Sequence, residues 1–144
     1  MTAPLFRYNK IVKFATNYED DSDDLTGWRY YLLWKVENQG LILFPLTSNH
    51  NHRDIIFVSQ YKITIPRPPC LQSKIYPRTF VNANRLVIVP PEAFSYLRFC
   101  NSCPAFCLAE DDFQRIINLH QNLTKYRIRI KRIDLTSKDF LINV

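Results

Sequence analysis

The sequence predicts a mainly β domain with one helix near its C-terminus, an α+β fold whose strands curl into a small sheet or barrel. Short apolar segments recur along most of the chain and are separated by polar or proline-containing stretches, as is typical of short strands. Aromatic residues make up 14% of the 144 residues, and β-branched residues are frequent. The apolar period becomes helical over a long segment only late in the chain. Together these observations favour a small β fold with a late helix.

The N-terminal half is predicted to consist of strands joined by polar loops. Residues 17–27 form a polar, acidic loop after the first strand, and residues 37–40 supply a turn after the second. The third strand is almost wholly apolar, which predicts burial on both faces. The predicted strands are residues 6–15, 28–36, 41–46, 55–59 and 61–65.

Prolines divide the C-terminal half, and helical periodicity follows. Pro66, Pro68 and Pro69 interrupt the ladder, and residues 74–80 and 85–89 are predicted strands. A short helix is predicted at residues 92–99, and an amphipathic helix at 110–123 carries Phe113, Ile116, Ile117 and Leu123 on one face. The tail alternates, with Arg127, Arg129 and Lys131 on one side and Ile128 and Ile130 on the other. We expect one domain over residues 1–123 with a basic, strand-like extension at 124–144.

Composition excludes two large classes of nucleotide-binding protein. The chain has only two glycines, Gly27 and Gly40. Glycine-rich phosphate loops need several glycines, because the backbone must approach the phosphate without a Cβ in the way. A P-loop kinase and a Rossmann dehydrogenase are therefore excluded.

The charge favours a polyanionic partner such as nucleic acid, although a basic protein with no specific partner remains the alternative. The formal net charge is +6 and the isoelectric point is near 9.3. Five of the 13 acids form one run: Glu19, Asp20, Asp21, Asp23 and Asp24. The sequence has no secretory signal pattern and no apolar stretch of about 20 residues. We expect a cytoplasmic protein with reduced thiols that does not enter a membrane.

The order of the motifs resembles the MazF/PemK family of RNA-cleaving toxins over residues 8–123. Gly27-Trp28-Arg29 opens the second strand, and Pro45-Leu46-Thr47-Ser48 ends the buried strand. The sequence PRTFV at 77–81 and the sequence LAEDDF at 108–113 follow in that order. The strand end PLTS is also similar to the related ToxN-type toxins. The resemblance implies a small SH3-like β-barrel with a C-terminal helix, a homodimer, a cognate antitoxin and RNA cleavage without a metal or cofactor.

The resemblance also implies site residues and shows departures from the family. An arginine at the start of the second strand and a hydroxyl residue after the buried strand correspond to Arg29, Thr47 and Ser48. The family often has Arg-Pro where this chain has Arg29-Tyr30. Some members carry an arginine and an aspartate near the positions of Asn82 and Asn84, which cannot shuttle protons. A catalytically inactive RNA- or protein-binding module of the same fold is therefore the alternative function.

Metal-free cleavage of RNA uses the 2′-hydroxyl of the substrate as nucleophile and needs a base, an acid and a cation for the phosphate. Arg29 suits the phosphate because a guanidinium pairs with two oxygens. Thr47 and Ser48 would position it by hydrogen bonding. His50 and His52 are the candidates for proton transfer, while a polar turn with solvated histidines and a zinc pair are the alternatives. Residues expected to contact RNA are Arg53, Arg78, Asn82, Asn84 and Arg85.

Three further groups of residues each have two or more interpretations. The acidic run is a mobile lid that pairs with basic residues when RNA is absent, a docking site for a basic partner, or a solvated loop. Cys100, Cys103 and Cys107, with Cys70 upstream, form a zinc site or are buried free thiols. The basic residues of the tail bind phosphate backbone or protect a solvated edge strand: Arg127, Arg129, Lys131 and Arg132.

Overall fold

The computed structural model describes residues 11–38, 40–47, 62–65, 79–99, 110–125 and 130–141. Within these ranges the chain is mainly β with a helix near the C-terminus, which confirms the predicted class. The strands are β1 Ile11–Thr16, β2 Gly27–Glu37, β3 Gly40–Thr47, β4 Lys62–Ile65, β5 Thr79–Asn82, β6 Arg85–Val89, β7 Arg98–Phe99 and β8 Lys131–Asp134. Helix α1 is Glu110–Lys125, and two short 3-10 helices are Pro91–Tyr96 and Ser137–Asp139.

The strands form one sheet whose centre is β3. Its order is β4-β5-β3-β2-β1-β7, and β6 pairs with both β3 and β8. All pairings are antiparallel except β6 with β8, which is parallel. The ladder of the described strands does not close into a barrel. The C-terminal segment makes an isolated bridge between Phe140 and Thr16 at the end of β1.

Alternation along the strands produces two apolar cores, one on each face of the sheet. The first core contains Phe14 and Tyr31, whose rings stack with centroids 4.2 Å apart. The helix-side core packs Phe113, Ile116 and Ile117 of α1 against the other face of the sheet. Each such side chain stabilises the fold by about 1.5–3 kcal/mol through burial. Because β3 contributes to both cores, its nearly unbroken apolar sequence is buried on both faces, as predicted.

Two predicted elements differ from the structure. The short helix predicted at residues 92–99 ends earlier, because the extended Leu97 donates its N–H to the carbonyl of Phe94 and the chain leaves the helix. Arg98 and Phe99 then pair with β1 as the edge strand β7, so the helical prediction is wrong for these two residues. The tail strand β8 begins at Lys131, at the end of the predicted alternation.

The C-terminal extension packs on the same core as the rest of the sheet. Strand β8 runs parallel to β6, and Ile133, Leu135 and Phe140 are buried in the first core. Helix α1 begins at Glu110, as predicted, and extends to Lys125. Among the described residues, no helix is long and apolar enough to cross a membrane. The predicted strand at residues 55–59 lies outside the described residues.

Candidate functional site

The register of the sheet places two predicted site residues at the same end of neighbouring strands. Tyr31 of β2 is paired with Pro45 of β3 in an antiparallel ladder. Arg29 precedes Tyr31 by two residues, and Thr47 follows Pro45 by two residues. Because side chains alternate with a period of two, this spacing puts the side chain of Arg29 on the same face as that of Tyr31. Arg29 is itself paired with Phe14 of β1, on the face of the first core.

Two buried polar atoms near the start of β2 have no hydrogen-bond partner among the described residues. They are Nε of Arg29 and the hydroxyl oxygen of Tyr31. Burial raises the pKa of the Tyr31 hydroxyl well above its usual value, and the nearby charge of Arg29 offsets this only in part. Tyr31 is therefore neutral and keeps its proton near neutral pH. An arginine nitrogen and a phenol, both donors without an acceptor, match the oxygens of a phosphate.

The loop between β1 and β2 is anchored next to these two donors. The Thr16 hydroxyl donates to the carbonyl of Leu25 at 2.8 Å, and the Leu25 amide donates to the carbonyl of Tyr18 at 2.9 Å. Leu25 is buried in the first core together with Tyr31. The pKa of Asp24 is lowered, first by hydrogen bonds from Thr26 and then by the charge of Arg29. The acidic loop therefore lies close to Arg29.

The acidic run forms ion pairs with two basic residues that are distant from it in the sequence. Nε of Arg85 donates to the two carboxylate oxygens of Asp23 at 2.9 and 3.1 Å. Nζ of Lys131 donates to Asp20 at 2.6 Å, to Asp23 at 2.7 Å and to the hydroxyl of Ser22 at 2.6 Å. Arg85 was a predicted RNA contact, and here it is paired with a carboxylate. The acidic run is therefore joined to β6 and β8 by ion pairs.

These contacts shift the ionisation of the groups involved. The pKa of Asp20 is held well below its usual value by the hydrogen bond from Lys131 and then by that from the Tyr18 hydroxyl. Burial raises the pKa of Asp23, but hydrogen bonds from Lys131 and Arg85 outweigh it and the net shift is downward. The pKa of Lys131 is raised by its bonds to Asp20 and Asp23. Near neutral pH all of these groups are charged.

The other predicted site residues are either structural or not described. The backbone carbonyl of Asn84 accepts from the Lys131 amide at 3.0 Å and from the Arg85 guanidinium at 3.2 Å, so this residue helps to join β6 to β8. Asn82 lies in β5, paired with Lys62. Several predicted residues lie outside the described residues: Ser48, His50, His52, Arg53, Arg78, Cys70, Cys100, Cys103 and Cys107. In the part of the chain that the structure describes, no group of three or more His, Cys, Asp or Glu side chains is placed to hold a metal ion.

A buried histidine in α1 was missed by the sequence analysis. Nδ1 of His120 lies 2.8 Å from the carbonyl oxygen of Ala83, and the ring packs edge-on against Trp34 and Phe44. Burial of His120 could have been predicted, because it follows Ile116 by four residues and so lies on the same apolar face of the helix. The ring joins α1 to the turn after β5, away from Arg29.

The arrangement around Arg29 and Tyr31 is a candidate oxyanion site, and the Asp23–Arg85–Lys131 cluster is an ion-pair network beside it. Neither assignment is supported by similarity to known proteins, because no family model matches the chain and no curated protein matches it.

Proposed function

We propose that the chain is a metal-independent endoribonuclease of the MazF/PemK type, which cleaves RNA through the 2′-hydroxyl of the substrate. The proposal is carried by the buried Nε of Arg29 and the neighbouring buried hydroxyl of Tyr31, neither of which has a hydrogen-bond partner among the described residues. Leaving a buried donor without a partner costs about 1–3 kcal/mol, and more for a charged group. An unsatisfied buried group in a native structure calls for an explanation, and the one proposed here is a ligand that completes the site.

Each residue near this point has a proposed role in the reaction. Arg29 binds the non-bridging oxygens of the scissile phosphate and stabilises the charge that grows on them. Tyr31, which stays protonated, donates a second hydrogen bond to the same phosphate. Thr47 and Ser48 position the phosphate. His50 and His52, which follow Thr47 by three and five residues in the sequence, remain the proposed proton carriers.

The acidic loop is proposed to close this site when RNA is absent. The unpartnered atoms of Arg29 and Tyr31 are buried, so RNA reaches them only if neighbouring chain moves aside. The loop is held over β6 and β8 chiefly by charged contacts from Asp20 and Asp23. Phosphate groups of RNA compete for the same cations, Arg85 and Lys131, because they carry the same charge as the carboxylates.

The partners that follow from this proposal are RNA, a cognate antitoxin and a second copy of the chain. The SH3-like barrel and the homodimer are proposed on the resemblance to the MazF/PemK family. An antitoxin would block the site around Arg29. An acidic segment of the antitoxin would fit the surface of Arg85 and Lys131, which already binds the acids of the chain itself.

Induced expression in a bacterium tests the proposal in cells. Wild type is compared with Arg29→Ala and Thr47→Ala, and new RNA 5′ ends are mapped after induction. Lys138→Ala is the control, because this lysine is exposed in the second 3-10 helix and its replacement also removes one positive charge. We expect growth arrest with defined cleavage sites for wild type and the control, and loss of both in the two site variants. Arrest that survives Arg29→Ala would place the reaction elsewhere.

The second candidate function is a binding module of the same fold that lacks catalysis. It is favoured by Asn84, which lies near a position where some family members have a proton-transferring residue. The backbone carbonyl of Asn84 instead accepts hydrogen bonds from Lys131 and Arg85 that join β6 to β8. This candidate predicts RNA binding without new 5′ ends and no arrest of growth.

A further inference from the structure

A row of basic and aromatic residues crosses three strands on the face opposite Arg29. Lys13 of β1 is paired with Arg98 of β7 on one side and with Tyr30 of β2 on the other. Directly paired residues of antiparallel strands share a face, and Trp28 shares it with Tyr30 because the two are two positions apart. We call Arg98, Lys13, Tyr30 and Trp28 the Lys13 row. With strands about 4.8 Å apart, the row spans about 10 Å.

The Lys13 row presents an aromatic ring and uncompensated positive charge to solvent. Trp28 is 44% exposed, and Nζ of Lys13 lies 5.6 Å from the centre of its ring. Arg98 is exposed, and its guanidinium donates to the backbone carbonyls of Ser95 and Leu97 at 3.0 and 3.1 Å. These carbonyls orient Arg98 without neutralising it. Among the described residues, neither Lys13 nor Arg98 forms an ion pair with a carboxylate.

The two tryptophans of β2 differ in how their rings are packed. Trp34 also carries a lysine over its ring, with Nζ of Lys35 at 4.1 Å. However, its ring packs against Phe44 and His120, with centroids 5.3 and 4.9 Å away, and joins the helix-side core. Trp28 belongs to neither core. Core packing among the described residues therefore does not explain why a tryptophan stands at position 28.

We infer that the Lys13 row binds single-stranded nucleic acid, with a base stacked on Trp28 and backbone phosphates on Lys13 and Arg98. An exposed ring next to cations is the combination that single-strand binding uses, because every base offers a π-face and every nucleotide a phosphate. Outside the acidic run the chain carries 19 bases against eight acids, which favours a polyanion. A second copy docked on the same row would bring like charges together, which opposes that occupant.

This surface does not depend on the proposed cleavage site. The Lys13 row and Arg29 lie on opposite faces of the sheet, so binding on the row persists if the chain has no ribonuclease activity. The test therefore uses a probe that cannot be cleaved through its 2′-oxygen: a fluorescein-labelled oligouridylate methylated at every 2′-oxygen. Binding to the intact protein is followed by anisotropy, and the same probe annealed to its complement provides the duplex comparison.

Matched variants separate the Lys13 row from general charge and surface effects. Trp28→Ala is expected to weaken single-strand binding by about tenfold or more, while Trp28→Phe, which keeps a stacking face, retains most of it. Lys13→Ala and Arg98→Ala are each expected to reduce the slope of log affinity against log salt by about 0.7. The controls are Val36→Ala, which removes an exposed apolar side chain from the same strand, and Lys35→Ala, which removes an equal charge. Both are expected to bind like wild type.

The outcomes decide the inference in either direction. Weaker binding by the row variants alone, together with a preference for the single strand over the duplex, supports it. Wild-type binding by Trp28→Ala, equal binding of both probe forms, or an equal loss in Lys35→Ala and Lys13→Ala overturns it. Thermal unfolding of each variant checks the fold. If Trp28→Ala does not fold, the inference is decided by two other measurements. These are the binding affinity of Trp28→Phe and the salt dependence of binding by Lys13→Ala and Arg98→Ala.

Discussion

The Asp23–Arg85 ion pair is expected to stabilise the folded chain measurably, although it lies near the surface. Nε of Arg85 is 2.9 Å from one carboxylate oxygen of Asp23, and the two side chains are only 20% and 14% exposed. Fully exposed pairs contribute about 0.2–1 kcal/mol, and hydrogen bonds to charged groups contribute about 1.5–3 kcal/mol. This half-buried pair lies between those limits, so we expect a coupling free energy of about 1–2 kcal/mol.

A double-mutant cycle measures this coupling. Wild type, Asp23→Asn, Arg85→Gln and the double variant are unfolded in denaturant at neutral pH and low salt, and the coupling is the departure from additivity. The matched control is the Arg132–Asp134 pair on β8, which has a similar distance of 3.0 Å but side chains 47% and 63% exposed. Its coupling should be below about 0.5 kcal/mol. Equal couplings for the two pairs would refute the claim that burial of the acidic loop strengthens its contacts.

Further predictions concern pH, glycine and tyrosine. Burial raises the pKa of Asp23 but hydrogen bonds lower it more, so its stabilisation is present above the ordinary value of 3.8 and disappears as pH falls through the lowered value of the folded state. The raised pKa of Lys131 gives a stabilisation that is present below 10.5 and lost as pH rises through the folded-state value. A denaturant midpoint that is flat across both ends of the pH scale would contradict these signs. Gly40→Ala should cost roughly 3 kcal/mol, because Gly40 has φ +131° and an added Cβ would collide with the carbonyl of Val89. Gly27→Ala, at φ +81° with open space around the Cβ, should cost only about 1–2 kcal/mol, and equal unfolding free energies would contradict the collision. Tyr31→Phe removes a buried hydroxyl that has no partner among the described residues, so it should stabilise the fold by about 1 kcal/mol. A loss of stability would mean that the hydroxyl has a partner.

The sequence predicted the local structure better than the contacts between distant segments. The apolar strand β3 and the amphipathic face of α1 were predicted because burial dictates their composition directly. The edge strand β7 was predicted as helix, since two residues pairing with β1 leave no periodic signal of their own. Strand β8 begins at Lys131, the last residue of the predicted alternation, and residues 127–129 of that alternation lie outside the described residues.

The candidate site was predictable only in part. Arg29 and Thr47 were named from the motif order, and the register of β2 and β3 places them at the same end of the sheet. Tyr31 was not named, because its proposed role depends on a buried hydroxyl without a partner among the described residues, which only the packing reveals. The pairing of Asp23 with Arg85 joins residues 62 positions apart, and no local pattern specifies such a contact. Lys131 was assigned to the tail rather than to the acidic loop for the same reason.

Cleavage of RNA by the purified protein in the presence of a chelator tests the central claim most directly. An end-labelled single-stranded RNA is incubated with wild type, Arg29→Ala, Arg29→Lys and the control Lys138→Ala, and the product ends are identified by mass spectrometry. We predict cleavage with 2′,3′-cyclic phosphate ends by wild type and the control, and a loss of about a hundredfold or more in both Arg29 variants. Intact RNA with the wild-type protein, or equal cleavage by Arg29→Ala, would contradict the proposed site and mechanism.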